Sequence, residues 1–320
     1  MADPILKWAG GKRQLLDEIY ARFPDEFRIK IEETQKKDEQ EKITEKHPNG
    51  KVNFHEPFVG GGAVIFDLEP KWGTLNDTNS RLINFYTQVK TNPQKIIEIS
   101  ETFRSPKDSP DKSRRFHTKN RKGKPIKNFY YQQREIFNNR PYGDEFDPVE
   151  EAAILLYLNR TCYNGLYREN SKGGFNTPIG SYKNPDWRRK EQILALHEVL
   201  NQIKIYNRDF DYVLEIASPG DLIYFDPPYQ PMSPTSSFKE YSADGFDMDD
   251  QKRLLQVATK LNEKGVHIIM SNSGIMYDLY EEHGFRVDMV GARRAINSDA
   301  SKRGEVNEIL ATNISEHQIN

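Results

Sequence analysis

Two consecutive strand–turn–helix patterns near the start of the chain limit its fold more than any other feature of the sequence. The first, KVNFHEPFVGGGAVIFDL at 51–68, places an apolar strand before three glycines and an apolar helix. The second, TLNDTNSRLINFYTQV at 74–89, places a short strand before Asp77 and a helix for which Thr78 or Asn79 is the expected N-cap. Strands that alternate with helices indicate a parallel sheet. We therefore predict an α/β fold.

The α/β pattern is interrupted in the middle of the chain. It returns after residue 200, with strands expected at 203–206, 221–225, 266–270, 285–290 and in EVNEILATNI, and helices at 248–262 and 275–282. The intervening residues are expected to form helices at 128–138 and 148–160, followed by a hairpin or long loop, CYNGLYRENSKGGFNTPIGSY. We predict one domain from residues 1–94 and 201–320, and a second domain at 95–200.

The use of cysteine, histidine and charge excludes several classes of protein. The single cysteine, Cys162, cannot form a disulfide framework or a cysteine metal cluster. The seven histidines are scattered without ligand spacing, so we predict no metal site. An 18-residue apolar run is absent, so we expect a cytoplasmic protein without a membrane span. Because the net charge is −2, an anionic partner has to meet a local basic patch.

The glycine turn and the acid after the next strand are typical of a nucleotide site. Glycines at 60–62 let the backbone approach a ligand, although a plain tight turn explains them equally well on their own. Asp77 ends the second strand, where its carboxylate could accept hydrogen bonds from both hydroxyls of a ribose. The dinucleotide pattern is absent, since Ile65 stands where its last glycine would be. An adenosine without a pyrophosphate is the expected ligand.

The segment DLIYFDPPYQP at 221–231 leads from an apolar strand into a rigid acid–Pro–Pro–Tyr turn. The exocyclic amine of a nucleobase is a poor nucleophile, because its lone pair is delocalised into the ring. Two acceptors, the Asp226 carboxylate and the Pro227 carbonyl, would favour the tetrahedral nitrogen that attacks. Pro228 restricts residue 227 to extended conformations, and Tyr229 offers a ring for stacking with the base. The competing interpretation is an ordinary strand end with a proline stop.

Seven segments, in this order, resemble the Dam-type (D12 class) DNA adenine-N6 methyltransferases over nearly the whole chain. They are LKWAGGK, EPFVGGGAV, LNDTNSRLI, YNGLYRENSKGGFNTPIGSYKNP, FDPPY, IIMSNSG and RRAINSDASKRGEVNEIL. The resemblance implies a Rossmann-like S-adenosylmethionine-dependent methyltransferase sheet, with an inserted, mostly helical target-recognition domain that bears a β-hairpin. It also implies S-adenosyl-L-methionine as methyl donor, double-stranded DNA as partner and no obligate protein partner. The target adenine would be flipped out of the duplex.

The same resemblance implies which residues form the site. The catalytic residues would be Asp226, Pro227, Pro228 and Tyr229. The donor would be bound by Trp8, Lys12, Phe58, Gly60, Gly62, Asp77, Asp209 and Asp226. Residues facing DNA would be Lys7, Asn164, Arg168 and Asn170. Taken alone, Trp8 and Lys12 fit a core aromatic residue and a surface charge.

Relatives with this hairpin read GATC or sites that begin with GAT, and we expect such a site here, with Arg168 reading a guanine edge. Two alternatives stay open. A cytosine-N4 methyltransferase shares the chemistry but commonly carries Ser in place of Asp226, and a non-catalytic DNA-binding protein could keep the same fold. Cytosine-C5 methylation is not expected, because it needs a thiolate nucleophile, usually after a proline, and Cys162 follows Thr161.

Two connections look longer than is usual in the family, at 28–50 and 104–127. Within the second, residues 112–127 hold eight Lys or Arg and no acid. This stretch is expected either to contact DNA phosphates or to form a solvated loop. The segment PMSPTSSF is expected to be a flexible loop that orders over the substrate, and RRAINSDASKRG either holds DNA backbone or forms a mobile loop.

Overall fold

The computed structural model describes residues 4–25, 53–113, 119–120, 122–139, 147–229, 246–293 and 305–315. These residues pack into two compact units. The helical unit holds the described residues within 1–11 and 79–201, and the sheet unit holds those within 12–78, 202–237 and 246–320. The functional boundaries at residues 94 and 201 stay a prediction. The insertion at 28–50, the loop at 231–238 and most of RRAINSDASKRG lie outside the described residues.

A seven-stranded sheet forms the centre of the sheet unit, with the strand order β3-β2-β1-β4-β5-β7-β6. The first five strands in this order are parallel, and β7 runs antiparallel to both β5 and β6. The predicted Rossmann-like methyltransferase sheet is thus confirmed. The strands are β1 (Phe54–Glu56), β2 (Gly73–Asn76), β3 (Lys204–Tyr206), β4 (Leu222–Phe225), β5 (His267–Ser273), β6 (Arg286–Arg293) and β7 (Glu305–Thr312).

Ten α-helices occur in the described residues, and those predicted from the sequence are confirmed. They are α1 (Leu16–Tyr20), α2 (Ala63–Leu68), α3 (Ser80–Thr91), α4 (Pro93–Thr102), α5 (Phe129–Asn138), α6 (Pro148–Thr161), α7 (Lys190–Gln202), α8 (Val213–Ile216), α9 (Met248–Glu263) and α10 (Tyr277–Glu282).

The hydrophobic core of the sheet unit is formed around the strands that consist of continuous apolar residues. All four residues of β4, LIYF, are buried, as expected for a parallel strand covered on both faces. One face of α9 packs onto the sheet through a row of leucines, and Asp247 begins the helix with a capping box. This core fixes the strand ends, where the predicted site residues lie.

The helical unit is built around α6, which is apolar on nearly all sides. Asp147 caps its start, Pro148 occupies the first turn, and residues 152–158 are buried throughout. A helix that is apolar all round belongs in the middle of a bundle, and α3, α4 and α5 pack against it. Asn79, one of the two residues expected to cap α3, is the N-cap. None of the helices in the described ranges is long and apolar enough to cross a bilayer.

Candidate active site

The carboxyl ends of the parallel strands meet at one edge of the sheet and carry most predicted site residues of the sheet unit. β1 leads into the glycine turn, β2 into Asp77, β3 towards Asp209 and β4 into Asp226. The order of the chain reverses between β1 and β4, because β2 lies on one side of β1 and β4 on the other. Open α/β sheets bind ligands in the crevice at such a switch point.

Asp226 is oriented by two contacts that meet at the same carboxylate oxygen. The Nζ atom of Lys12 lies 2.9 Å from Oδ1, and the Ser271 hydroxyl donates a hydrogen bond of 2.8 Å to that oxygen. The Tyr224 hydroxyl in turn donates to Ser271 Oγ at 3.0 Å. Within the described part of the chain, no group donates to Oδ2 of Asp226. The described residues therefore hold this carboxylate through one oxygen only.

Lys12 is a buried cation that follows the glycine pair near the start of the chain. Its side chain is only 5% exposed. Burial by itself lowers the pKa of Lys12, but the attraction of nearby groups, Asp226 foremost, outweighs it and the pKa is raised. The ammonium also lies 4.7 Å from the ring centroid of Tyr229. Lys12 is thus charged at neutral pH and contacts both ends of the acid–Pro–Pro–Tyr turn.

The acid–Pro–Pro–Tyr turn is held mainly through its acceptors, because its two prolines have no N–H group. The Pro228 carbonyl accepts a hydrogen bond of 3.2 Å from Gln251 Nε2. No donor reaches the Pro227 carbonyl within the described ranges. The Tyr229 hydroxyl donates to Glu308 Oε2 at 2.9 Å, and burial raises the pKa of Tyr229 well above its usual value.

The glycine turn after β1 has a conformation that only glycine adopts without strain. Gly62 has φ +68°, and a Cβ at this position would lie 2.1 Å from a ring atom of Phe66. Gly60 has φ +45°, and its N–H donates to Asp77 Oδ2 at 3.1 Å. The turn and the acid after β2, which the sequence linked only by analogy, are therefore in direct contact.

Phe58 belongs to an aromatic cluster and Asp209 to an ion pair, and Phe210 contacts both groups. Phe58 packs against Phe210 and Phe246, with ring centroids 5.4 Å and 5.6 Å apart. Both oxygens of Asp209 accept hydrogen bonds from Arg253, at 2.7 Å and 2.8 Å, and these bonds lower the pKa of Asp209. The Arg253 guanidinium also lies 4.1 Å from the Phe210 ring centroid. The carboxylate predicted to bind the donor is thus engaged by an arginine in this structure.

The remaining candidates, Trp8 and the residues predicted to face DNA, belong to the helical unit. Trp8 stacks on Tyr167 with ring centroids 4.9 Å apart. The buried Asn159 ties Lys7 to the loop after α6, because its side chain bonds the N–H and carbonyl of Lys7 and the carbonyl of Gly165. The structure therefore brings Lys7 next to Asn164, the residue before Gly165.

Arg168 and Asn170 lie on the predicted hairpin, which is present. Arg168 Nε donates to Asn176 Oδ1 at 2.6 Å across the hairpin, and the backbone of Asn176 bonds back to Arg168. Asn170 is exposed, and its Oδ1 accepts from the N–H groups of Lys172 and Gly174, so this oxygen stabilises the turn. Arg168 is therefore oriented by Asn176, whereas Asn170 stabilises the turn through its own side chain.

A family model described as D12 class N6 adenine-specific DNA methyltransferase matches residues 35–296 of the chain. The chain belongs to this family. It is a site-specific DNA adenine methyltransferase, which acts on DNA and takes a methyl group from a donor.

Relatives of this methyltransferase match over almost the whole chain. The type II methyltransferase M1.LlaDCHI of Lactococcus lactis subsp. cremoris is 37% identical over 314 residues, which are 97% of this chain and 95% of that protein. The type II methyltransferase M.MjaIII of Methanocaldococcus jannaschii is 37% identical, over 97% of this chain and 98% of that protein. The DNA adenine methylase of Escherichia coli K12 is 30% identical, over 96% and 94%.

Two buried polar residues of the methyltransferase, Glu56 and Asn76, were not predicted from the sequence. Glu56 ends β1, and its Oε2 accepts the N–H of Ile65 in the first turn of α2 at 2.9 Å. Burial raises the pKa of Glu56 well above its usual range; the bond from Ile65 and the charge of Lys12 lower it, and Asp226 raises it further. A single carboxyl at the end of a three-residue strand gives no periodic signal, so only the fold shows that Glu56 lies near Lys12 and Asp226.

Asn76, at the end of β2, is the second of these residues. It is fully buried, and its side-chain amide donates to the carbonyls of Pro57 and Arg208 at 3.0 Å and 2.9 Å. Its Oδ1 accepts the N–H of Arg208 at 2.8 Å. One side chain thus joins the ends of β1, β2 and β3 in the methyltransferase, so the loops that begin there keep a fixed spacing.

Proposed function

We propose that this methyltransferase transfers the methyl group of S-adenosyl-L-methionine to N6 of an adenine flipped out of duplex DNA, at a GATC or GAT-containing site. The single observation that supports this most is the asymmetric Asp226 carboxylate, whose Oδ1 is held by Lys12 and Ser271. An acid fixed through one oxygen presents the other in a constant direction. That is what a substrate amine needs from its acceptor.

The chemistry follows from the two acceptors on the turn. Asp226 Oδ2 and the Pro227 carbonyl would accept the two N6 hydrogens, so the nitrogen becomes tetrahedral and its lone pair is available for attack. S-adenosylmethionine supplies a methyl group made electrophilic by its sulfonium. As the N–C bond forms and the C–S bond breaks, S-adenosylhomocysteine would leave and positive charge would move to N6, where both acceptors would stabilise it until one N6 proton passes to solvent. Holding the two reactants in line can contribute about 7–11 kcal/mol.

The residues of the sheet unit fit an adenosyl donor. Gly60 and Gly62 have left-handed backbone without side chains, which lets the donor approach the turn closely. Asp77 would accept the ribose hydroxyls, and Phe58, in its aromatic cluster, would lie against the adenine. The carboxylate of Asp226 would attract the sulfonium. Trp8 and Asp209 are proposed as donor-binding residues on the resemblance alone.

The hairpin of the helical unit supports the proposed target sequence. Arg168 is oriented by Asn176, and arginine pairs with the O6 and N7 atoms of guanine in the major groove. Lys7 and Asn164 lie together beside the start of the hairpin, where they would contact the same DNA segment. The target adenine then has to leave the duplex, at a cost of a few kcal/mol.

Methyl transfer from tritiated S-adenosylmethionine to unmethylated plasmid DNA, followed by mass spectrometry of the nucleosides, tests the chemistry. We expect N6-methyladenine from the wild type and at least about a thousandfold less from Asp226→Ala, since the main acceptor is lost. The exposed acid Asp249 supplies the matched control, and Asp249→Ala should keep the wild-type rate. N4-methylcytosine, or an Asp226→Ala rate near the wild-type value, would exclude this mechanism.

The target sequence is tested separately in a host that lacks adenine methylation. Its DNA is recovered after expression of the methyltransferase and digested with a GATC endonuclease that N6-methyladenine blocks. We expect protection with the wild type and full cutting with Asp226→Ala. Full cutting in both cases, with N6-methyladenine present, would exclude GATC and leave the chemistry standing.

A further inference from the structure

The acid–Pro–Pro–Tyr turn is held by groups on and beside three consecutive positions of β5. Ser271 bonds Asp226, and Asn272 bonds Gln251, which bonds the Pro228 carbonyl. The third position, residue 273, pairs with residue 308 of β7, which accepts the Tyr229 hydroxyl. Successive side chains on a strand point to opposite faces, so the turn is held from both faces of the sheet.

The orientation of the Gln251 side chain is fixed by its own partners. Its Oε1 accepts from Asn272 Nδ2 at 3.0 Å and from the Tyr280 hydroxyl at 3.4 Å. Asn272 is itself oriented, because its Oδ1 accepts the N–H of Ser273 at 2.8 Å. A flipped Gln251 amide would set N–H against N–H at Asn272 and oxygen against oxygen at Pro228, so its Nε2 has to face Pro228.

All three side chains of this network, Gln251, Asn272 and Tyr280, are fully buried. Burial raises the pKa of Tyr280, so its hydroxyl keeps its proton and can donate. Leaving any of these groups without a partner is costly in such a place, and a satisfied buried network is correspondingly rigid. The network therefore gives Gln251 one stable position against the turn.

We propose that Gln251, oriented by Asn272 and Tyr280, is a positioning residue for methyl transfer, which acts by fixing the Pro228 carbonyl. This inference rests on the proposed function. The proline ring fixes φ of Pro228, and the bond from Gln251 fixes the carbonyl and hence ψ. With both dihedral angles of Pro228 set, and ψ of Pro227 restricted by the proline that follows it, the Cα of Tyr229 has a fixed position relative to Asp226. The stacking ring and the carboxylate then meet the same base in the correct relative geometry.

The test compares Gln251→Met, which keeps the length of the side chain but cannot donate, with Gln251→Glu. Single-turnover transfer from tritiated S-adenosylmethionine to plasmid DNA should fall about 10- to 100-fold in Gln251→Met, as for a small misplacement of a reacting group. Binding of DNA and of S-adenosylhomocysteine should stay within about threefold, since Gln251 is fully buried and offers no surface to either ligand. Gln256, exposed on the same helix, provides the matched controls Gln256→Met and Gln256→Glu.

The pH profile separates positioning from a structural role. An ionised Glu at position 251 repels the Pro228 carbonyl, whereas a protonated one donates to it, and burial favours the protonated form. The rate of Gln251→Glu relative to the wild type should therefore rise as the pH falls from about 8 to about 5.5, while that of Gln251→Met stays constant. Thermal melting at each pH shows that the compared variants are folded.

Tyr280→Phe provides a second test. It removes the hydroxyl that donates to Gln251 Oε1 and accepts from Asn272 Nδ2 at 2.9 Å, and leaves the Gln251 side chain itself unchanged. We expect a loss of about two- to fivefold, and no further loss when Tyr280→Phe is added to Gln251→Met, because both act through one bond. A Gln251→Met rate within twofold of the wild type, or losses that multiply in the double variant, would overturn the proposal. Absence of N6-methyladenine from the wild type would instead remove the proposed function.

Discussion

The Nζ atom of Lys12 lies 2.9 Å from Oδ1 of Asp226, and the lysine side chain is only 5% exposed. This contact holds the carboxylate through the oxygen that the substrate is not expected to use. Replacing Lys12 with methionine leaves Asp226 to Ser271 alone, and we expect transfer to fall about a hundredfold, as for a misplaced reacting group. Single-turnover rates measure this effect, and the exposed Lys252→Met is the control.

Lys12 also makes alkaline stability depend on this ion pair. Because its pKa is raised in the folded protein, its contribution to the free energy of unfolding is fully present below the unfolded pKa, about 10.4 for lysine, and is lost as the pH rises through the folded value. We expect urea denaturation to show Lys12→Met less stable than the wild type at pH 7, with a difference that shrinks above about pH 10.4. A difference that stays constant would contradict the raised pKa.

Glu56 should lower the stability of the folded protein at neutral pH. Its folded pKa is raised, so its contribution to stability is present below the unfolded pKa of about 4.3 and is lost as the pH rises. We expect Glu56→Gln, which can still accept the N–H of Ile65, to raise the melting temperature at pH 7 by about 2–4 °C and to lose this advantage near pH 4. Melting curves at a series of pH values decide the point. An advantage that grows in acid would contradict the prediction.

The fold was predictable from local patterns, whereas the supports of the site were not. The glycine turn, the N-cap Asn79 and the strand that leads into Asp226 each give a signal within a few residues. Ser271 and Asp226 are 45 residues apart in the chain, and Gln251 and Pro228 are 23 apart. A buried glutamine on a helix looks like any polar residue until the fold places a carbonyl beside it.

A comparison of Gly62→Ala with Gly284→Ala separates the free-energy cost of backbone strain from that of steric overlap. Gly62→Ala combines φ +68° with a Cβ placed 2.1 Å from Phe66, whereas Gly284 has φ +81° and nothing within 4 Å of an added Cβ. We expect Gly284→Ala to cost about 1 kcal/mol of unfolding free energy, and Gly62→Ala at least about 1–3 kcal/mol more, because the ring has to move. Equal losses in the two variants, measured by urea denaturation, would mean that Phe66 adapts without cost.

Arg253 should compete with the donor for Asp209. Both oxygens of this carboxylate accept hydrogen bonds from the guanidinium, so a methyl donor that binds Asp209 through an amine would have to displace them. We expect Arg253→Met to bind S-adenosylhomocysteine about 2- to 10-fold more tightly by calorimetry, and the double variant with Asp209→Asn to lose this gain. Because the pair is partly exposed, it should contribute no more than about 1 kcal/mol to stability. Unchanged affinity in Arg253→Met would assign Asp209 to holding the loop rather than the donor.

Four lysines of the basic stretch should increase the dependence of DNA binding on salt. Lys119, Lys122 and Lys124 are exposed on a short hairpin, and Lys127 is exposed just after it. Within the hairpin, Asn120 Oδ1 accepts the N–H groups of Lys122 and Lys124 at 3.0 Å each. The hairpin leads into α5, and Asn138 at the end of α5 bonds Phe175 on the recognition hairpin. Ten helical residues span about 15 Å, so the lysines should reach phosphates four or five base pairs from the site.

Substitution of these lysines measures the number of phosphates they bind. Removing one lysine–phosphate pair should reduce the slope of log K against log salt by about 0.9, and we expect Lys122→Gln with Lys124→Gln to reduce it by about 1–2. Lys95→Gln, on an exposed face of α4, should leave the slope unchanged. Wild-type affinity should also fall when the duplex ends closer than about five base pairs from the site, while the double variant should not respond. An unchanged slope would show that the lysines only face solvent.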